Sequence, residues 1–91
     1  MQLSDREKIR AVAERYGAYN IRIFGSCARG DDRPDSDIDI LIDLEEGRSL
    51  LDLIAIQQDL EDLLGRNVDV VTEPELSPYF RDEVLKEAIP L

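Results

Sequence analysis

The sequence predicts a small α/β domain of the α+β kind, in which helices cover a mixed sheet of three or slightly more strands. Three observations support this class. Apolar residues recur at helical spacing in three segments, they alternate with polar residues in three others, and the two kinds of segment follow one another along the chain. With 91 residues and neither repeat nor linker, we expect a single domain over residues 1–91 in the order α-β-(short α)-β-α-β-α.

The first elements are a helix, a strand and a short second helix. In "LSDREKIRAVAERYGA", Ser4 stands three residues before Glu7, which is capping-box spacing, and apolar residues follow at helical intervals until Gly17. "NIRIF" then alternates isoleucine with polar residues and stops at Gly25, as does a strand that ends in a turn. The next stretch, "SCARG", is predicted to be a short helix, which Pro34 prevents from continuing.

"SDIDILID" is the strongest strand signal in the chain. One face carries Ile38, Ile40 and Ile42, and the other carries Asp37, Asp39, Leu41 and Asp43. Because Leu41 shares the face of the acids, we expect that face to be covered further along the strand.

The second half predicts a helix, a strand and a last helix. Ser49 caps a leucine-rich helix that ends at Gly65. Its predicted apolar face consists of Leu50, Leu53, Ile54, Leu60 and Leu64. "NVDVVT" follows as a strand, and Ser77 begins the final helix with Pro78 at its first helical position.

Composition excludes several classes of function. A formal net charge of −10 argues against a nucleic acid as direct ligand, because phosphate backbones require basic surfaces. The absence of histidine rules out imidazole metal sites and Ser-His-Asp triads. The single cysteine, Cys27, cannot form an internal disulfide and is interpreted as a packing residue. Without a long apolar run, neither a signal peptide nor a membrane span is predicted, and the expected location is the cytoplasm.

The aspartates of the central strand suggest a metal site. Residues i and i+2 lie about 6.5–7 Å apart on one face of a strand, so Asp37 and Asp39 can converge on one ion or a pair of ions. Mg²⁺ commonly takes one or two protein carboxylates and completes its shell with water and substrate phosphate. Asp69 has the same setting on the next strand and supplies a third carboxylate if the two strands are neighbours.

Two other interpretations of these acids are open. An edge strand can carry charge to block aggregation, and for Asp35 and Asp43 this role or a turn role is preferred. A calcium loop would place Asp35, Asp37, Asp39 and Glu46 at positions 1, 3, 5 and 12 of the EF-hand pattern. That pattern fails at position 6, where the sharp turn needs glycine and the sequence has the β-branched Ile40.

The Gly25-Ser26 turn suggests a phosphate site ahead of the acids. Glycine lets a backbone approach a ligand closely, and the N–H groups and serine hydroxyl at a helix start can hold phosphate oxygens. An ordinary turn is the alternative. Arg29 is a surface residue, a partner of a cluster acid, or a ligand of a triphosphate. Ser36, next to Asp37, is added to the phosphate-binding candidates.

Taken together, "GSCARGDDRPDSDIDILI" followed by "VDVV" resembles the nucleotidyltransferase superfamily that includes DNA polymerase β, and within it the minimal nucleotidyltransferases of prokaryotic toxin–antitoxin modules. The resemblance implies that Gly25 and Ser26 hold the phosphates of a nucleoside triphosphate, and that Asp37 and Asp39 bind Mg²⁺, in two ions. It also implies that Asp69 completes the site and helps to activate the attacking hydroxyl.

The resemblance further implies a substrate and a partner. ATP would donate AMP to a tyrosine of a HEPN-domain ribonuclease toxin from a neighbouring gene, and the chain would thereby act as an antitoxin. Two alternatives stay open, a non-catalytic antitoxin that blocks the toxin by binding it, and transfer to a small molecule such as an aminoglycoside. Assembly into a homo-oligomer is also compatible with the sequence.

Overall fold

The helices and strands of the computed structural model follow the predicted order, with two additions near the C-terminal end. The structure describes residues 3–30 and 36–91. Its elements are α1 (Leu3–Arg15), β1 (Ala18–Phe24), α2 (Ser26–Arg29), β2 (Ile38–Leu44), α3 (Leu50–Leu64), β3 (Val68–Thr72), a 3₁₀ turn (Glu73–Glu75), α4 (Arg81–Glu87) and β4 (Ile89–Pro90). The 3₁₀ turn and the two-residue β4 are the additions.

The strands form one mixed sheet in the order β3-β2-β1-β4. β1 runs antiparallel to β2 and to β4, whereas β2 and β3 run parallel. α3 forms the crossover that a parallel pair requires. The predicted α+β class is confirmed, and the fourth strand is too short for its alternation to be recognised in a sequence.

The hydrophobic core lies between one face of the sheet and the two long helices. Ile38, Ile40 and Ile42 of β2 point into it, each at most 2% exposed. The core also contains Ile9, Val12 and Ala13 of α1, Leu53, Ile56 and Leu60 of α3, and the inward residues Ile21, Ile23, Val68 and Val70 of the neighbouring strands. Cys27 packs against this core, as predicted. The predicted orientation of β2 is therefore confirmed, and its acids lie on the opposite face.

Part of that opposite face is closed. Leu41 is fully buried, and its register neighbours are Arg22 on β1 and Val71 on β3. The expected cover over this end of the acid-bearing face is thus confirmed. The face stays open on the Asp39 side of Leu41.

The ends of α3 agree with the sequence, but its buried stripe differs. The Ser49 hydroxyl accepts a hydrogen bond from the Leu51 N–H at 3.2 Å, and Gly65 takes the left-handed conformation at the C-terminal end. Leu50 is 67% exposed and Ile54 is 44% exposed, so their assignment to the apolar face was wrong. The stripe that faces the sheet begins one turn later, at Leu53.

α3 has 15 residues, and no helix in the described part of the chain is long and apolar enough to cross a membrane.

Two predicted helix starts are corrected. α1 already includes Ser4, so this residue lies inside the helix and not at its cap. α4 begins at Arg81, because a separate turn over residues 78–80 precedes it. In that turn the N–H groups of Phe80 and Arg81 both donate to the Ser77 carbonyl, at 3.0 and 2.9 Å, and Pro78 belongs to the turn.

Candidate active site

The parallel pairing of β2 with β3 brings two of the predicted acids side by side. Asp39 and Asp69 are direct register partners. Neighbouring strands lie about 4.8 Å apart, so the two carboxylates leave the sheet from adjacent points. Asp37 directly precedes β2, two residues before Asp39. The condition for a third carboxylate, that the two strands be neighbours, is therefore met.

Contacts from the loop after α3 hold the segment that carries Asp37. Arg66 donates two hydrogen bonds to the Ser36 carbonyl, from Nε at 3.1 Å and from Nη2 at 2.7 Å. The Ile38 N–H donates to the Asn67 carbonyl at 3.0 Å. Asp37 is thus held on both sides by residues that follow it by some thirty positions. Sequence reasoning missed Arg66, because nothing local to it indicates its partner.

The turn between β1 and α2 requires glycine for two reasons. Gly25 has φ 71° and ψ −149°, a conformation that residues with a Cβ rarely adopt. A Cβ added at Gly25 would also overlap the Asp39 Oδ2 and lie 3.2 Å from the Asp39 Cγ. The backbone of the predicted phosphate turn therefore packs directly against a predicted metal ligand, and a larger residue would displace that carboxylate.

Arg29 ends α2 and forms an ion pair that the sequence did not predict. Its Nη1 lies 3.1 Å from the Glu87 Oε1, and the same oxygen accepts a hydrogen bond from the Gly25 N–H at 2.6 Å. Glu87 is the last residue of α4 and is 62 positions from Gly25. The predicted roles for Arg29 were a surface residue, a partner of a cluster acid and a ligand of a triphosphate, and the partner in this ion pair, Glu87, belongs to α4 and not to the aspartate cluster.

The three aspartates, the glycine turn and the Arg29–Glu87 pair all line one cleft of about 690 Å³. Every predicted site residue lines it: Gly25, Ser26, Arg29, Ser36, Asp37, Asp39 and Asp69. Its remaining lining includes four apolar residues that sequence reasoning did not place here, Val71, Leu76, Phe80 and Val84. The cleft therefore combines carboxylates, anion-binding groups and an apolar wall, as a site for a charged ligand with a flat apolar part would.

Negative charge is concentrated around Asp39. Burial raises the pKa of the Asp39 carboxyl, repulsion from Asp69 and then from Asp37 raises it further, and Arg29 opposes the shift. A cation at this point would relieve that repulsion, and an all-oxygen donor set suits Mg²⁺. Within residues 3–30 and 36–91, no three acidic or thiol side chains converge closely enough to hold an ion by themselves. The donors fit a cation that takes its remaining ligands from water and substrate phosphate.

The other acids of this region are placed differently. Asp43 lies beyond Leu41, where it pairs with Arg22 at 3.4 Å and accepts a hydrogen bond from Asn20 at 3.0 Å. It does not line the cleft. Asp35 lies outside the described residues. The calcium-loop alternative is wrong on the described part, because its sixth position, Ile40, lies within β2 and not in a sharp turn.

Comparison with known proteins assigns the chain to a family. The family described as "Nucleotidyltransferase domain" matches residues 5–91, which is nearly the whole chain. The chain belongs to the nucleotidyltransferase domain family. Its resemblance to minimal nucleotidyltransferases is confirmed by a solved structure of a candidate minimal nucleotidyltransferase, with a TM-score of 0.86 and 50% identity over 97% of this chain and 90% of that chain.

Relatives of this nucleotidyltransferase carry more specific names. A candidate protein adenylyltransferase of Methanocaldococcus jannaschii is 42% identical over 92% of this chain and 90% of its own length. The protein adenylyltransferase MntA of Thermococcus cleftensis is 44% identical over 86% of this chain and 79% of its own length. A toxin–antitoxin complex with AMP-PNP shares the fold, with a TM-score of 0.80 and 23% identity over 93% of this chain and 70% of that one.

Proposed function

We propose that this nucleotidyltransferase is a Mg²⁺-dependent protein adenylyltransferase that transfers AMP from ATP to a tyrosine hydroxyl of a HEPN-domain toxin and thereby acts as its antitoxin. One observation carries the proposal. The cleft joins the Gly25-Ser26 turn to three aspartates on adjoining backbone segments, so groups suited to phosphates and to a cation face the same space. The names of the relatives, protein adenylyltransferase, support the choice of AMP and of a protein acceptor.

The residues of the cleft have separate roles in this proposal. The Gly25 N–H, the hydroxyls of Ser26 and Ser36, and the Arg29 guanidinium bind phosphate oxygens of ATP. Asp37, Asp39 and Asp69 would bind Mg²⁺ together with water and the phosphates of ATP, and the bound cation would neutralise phosphate charge and polarise the α-phosphate. Asp39 and Asp69 lie on paired strands, and Asp37 lies in a segment that Arg66 holds in place. Little reorganisation of these side chains is therefore needed when ATP binds.

Asp69 also accepts the proton of the attacking hydroxyl. A bond forms from the tyrosine oxygen to the α-phosphorus, the bond to the bridging oxygen breaks, and pyrophosphate leaves. Because the leaving group and the acceptor are both held in the cleft, most of the catalysis comes from positioning and charge neutralisation. The apolar wall of Val71, Leu76, Phe80 and Val84 would contact the flat rings of the base or the acceptor.

The toxin partner is proposed from the structural neighbours and from this chain's own surface. A solved MntA–HepT toxin–antitoxin complex shares the fold, with a TM-score of 0.72 at 21% identity. Phe80, in the apolar wall of the cleft, is 61% exposed, and its sequence neighbour Tyr79 is 89% exposed, which suits contact with another protein. The same exposed aromatics and the net charge of −10 favour a second candidate function, in which the chain inhibits its partner by binding alone.

Intact mass spectrometry tests the proposal. The chain and the HEPN-domain product of its neighbouring gene are incubated with Mg²⁺ and each nucleoside triphosphate in turn, beside an Asp37→Asn control. We expect the partner to gain the mass of AMP only with ATP and only with the parent chain. If the proteins bind tightly and neither mass changes, adenylyl transfer is refuted and inhibition by binding is the better account.

A further inference from the structure

The carboxylate of Glu87 occupies groups that the proposed function assigns to ATP. Its Oε1 accepts a hydrogen bond from the Gly25 N–H at 2.6 Å and lies 3.1 Å from the Arg29 Nη1. Both donors are anion-binding groups of the cleft. A phosphate oxygen that used them would have to take the place of this carboxylate oxygen.

This contact is unlike an ordinary surface ion pair. The Gly25 N–H is a backbone donor with a direction set by the turn, and Glu87 is only 27% exposed by side chain. The contact also adds a carboxylate to a cleft whose lining already contains five others, those of Asp37, Asp39, Asp69, Glu75 and Glu83. Like charges so close together are unfavourable unless something compensates for them, and here a hydrogen bond and an arginine do so.

We propose that Glu87 is an internal competitor for the phosphate-binding groups of the cleft and thereby sets the affinity for ATP. The inference rests on the proposed function, because it assumes that ATP phosphates use the Gly25 N–H and Arg29. A ligand binds only the molecules in which the Glu87 side chain has turned away. Its apparent dissociation constant is therefore the intrinsic constant divided by the fraction of molecules in that open state.

The backbone of Glu87 is held in place, so the exchange is a side-chain movement. After the single residue Ala88, β4 pairs with β1 through Ile89 and Pro90, and the Leu91 N–H donates to the Ile21 carbonyl at 2.9 Å. Glutamate has three side-chain torsions, and rotamers of partly exposed side chains change on fast timescales. α4 and the sheet edge can thus stay in place while the carboxylate leaves.

The expected effect follows from the occupancy of this contact. If the carboxylate holds the two donors in about nine of ten molecules, the apparent affinity for ATP is reduced roughly tenfold. Substitution Glu87→Gln removes the charge but keeps the shape, and Glu87→Asp keeps the charge but shortens the side chain by one methylene. Both changes weaken the contact by different routes, and both should tighten ATP binding.

The matched control is Glu83→Gln. Glu83 lies one helical turn earlier on α4 and lines the same cleft, so this variant makes the same change in net charge. The dissociation constant for Mg²⁺-ATP is measured by calorimetry for the parent and the three variants, with a thermal melt of each. We expect both Glu87 variants to bind roughly three- to tenfold more tightly than the parent, and Glu83→Gln to stay within about twofold.

Three results would overturn the inference. If the parent binds Mg²⁺-ATP and both Glu87 variants bind equally or more weakly, Glu87 supports the site and does not compete for it, and the proposed function is unaffected. If Glu83→Gln gains as much as Glu87→Gln, the effect is one of net charge only. If neither the parent nor any variant binds Mg²⁺-ATP, the proposed function itself fails, and this inference fails with it.

Discussion

Two aspartates on the same face of β2 should respond in opposite ways to the same substitution. Asp39 lies in the cleft against Gly25 and beside Asp69, and its carboxylate is repelled by its neighbours. Asp43 lies four residues further along, and its carboxylate is paired with Arg22 and hydrogen-bonded to Asn20. Asparagine is nearly isosteric with aspartate, so in each case the substitution mainly removes the charge.

For Asp43→Asn we expect a loss of stability and retention of activity. The Arg22 side chain is 12% exposed, so its charge loses a partner in a largely enclosed position. Arg22 keeps its hydrogen bond to the Asn20 carbonyl at 2.8 Å, which limits the cost to about 1 kcal/mol. For a domain of this size, about 1 kcal/mol lowers the melting temperature by roughly 4–8 °C.

For Asp39→Asn we expect the reverse. Removal of the charge relieves its repulsion from Asp37 and Asp69, so without metal the variant should be as stable as the parent or up to about 1 kcal/mol more stable. The gain is small because both neighbours are exposed to solvent, which screens their charges. Nucleotide transfer should fall by more than about a hundredfold, because a ligand of the catalytic cation is lost.

The assay has two readouts on the same three proteins. Thermal melts in a chelator measure stability without metal, and pyrophosphate release in the presence of Mg²⁺, ATP and the acceptor protein measures transfer. The assignment of Asp39 to catalysis would be refuted if Asp39→Asn kept the parent's rate. The charge argument would be refuted if Asp39→Asn melted below Asp43→Asn in the chelator.

Two further predictions concern the glycine turn and the effect of pH. Gly25→Ala should lower the free energy of unfolding by roughly 1–3 kcal/mol and abolish transfer, because the backbone at Gly25 suits only glycine and a Cβ there would displace the Asp39 carboxylate. Gly30 has φ 81° and open space around it, so Gly30→Ala should lower the free energy of unfolding by about 1 kcal/mol and leave transfer intact. Melts and rates of the two alanine variants check this, and an active Gly25→Ala would contradict it. The pKa of Asp39 in the folded state lies above its ordinary value of 3.8, so the folded state favours the protonated carboxyl. The stability that this preference contributes is fully present below the unfolded-state pKa, and it is lost as pH rises through the folded-state pKa. The melting-temperature gap between Asp39→Asn and the parent should therefore narrow as the pH falls toward about 4, and a gap that widens would contradict the assigned shift.

Much of the site could be predicted because its elements are local in sequence. The alternation in "SDIDILID" separates Ile38 and Ile40 from Asp37 and Asp39, and the structure keeps that separation. Gly25 precedes a polar helix start and is required there. Periodicity reports which side of an element faces the core, so it places side chains on faces correctly even when the partner elements are unknown.

The errors in the predicted fold have a common physical cause. Leu50 has helical spacing with the core residues of α3 and is nevertheless exposed, and Pro78 is a good first helical residue that lies in a turn. Local propensity and spacing describe what an element could bury or begin. Packing against the rest of the chain decides where burial and helix formation actually start.

The order of residues was enough to predict the acidic strand, the Gly-Ser turn and the later Asp69, because each is a short pattern with its own chemical meaning. Their convergence in one cleft was decided by the parallel pairing of β2 with β3, which depends on the whole sheet. The same holds for Arg66 on the Ser36 carbonyl and for Glu87 on the Gly25 N–H, contacts that span 30 and 62 positions. Side chains of this kind find their partners only after distant elements pack together, and no local spacing encodes them.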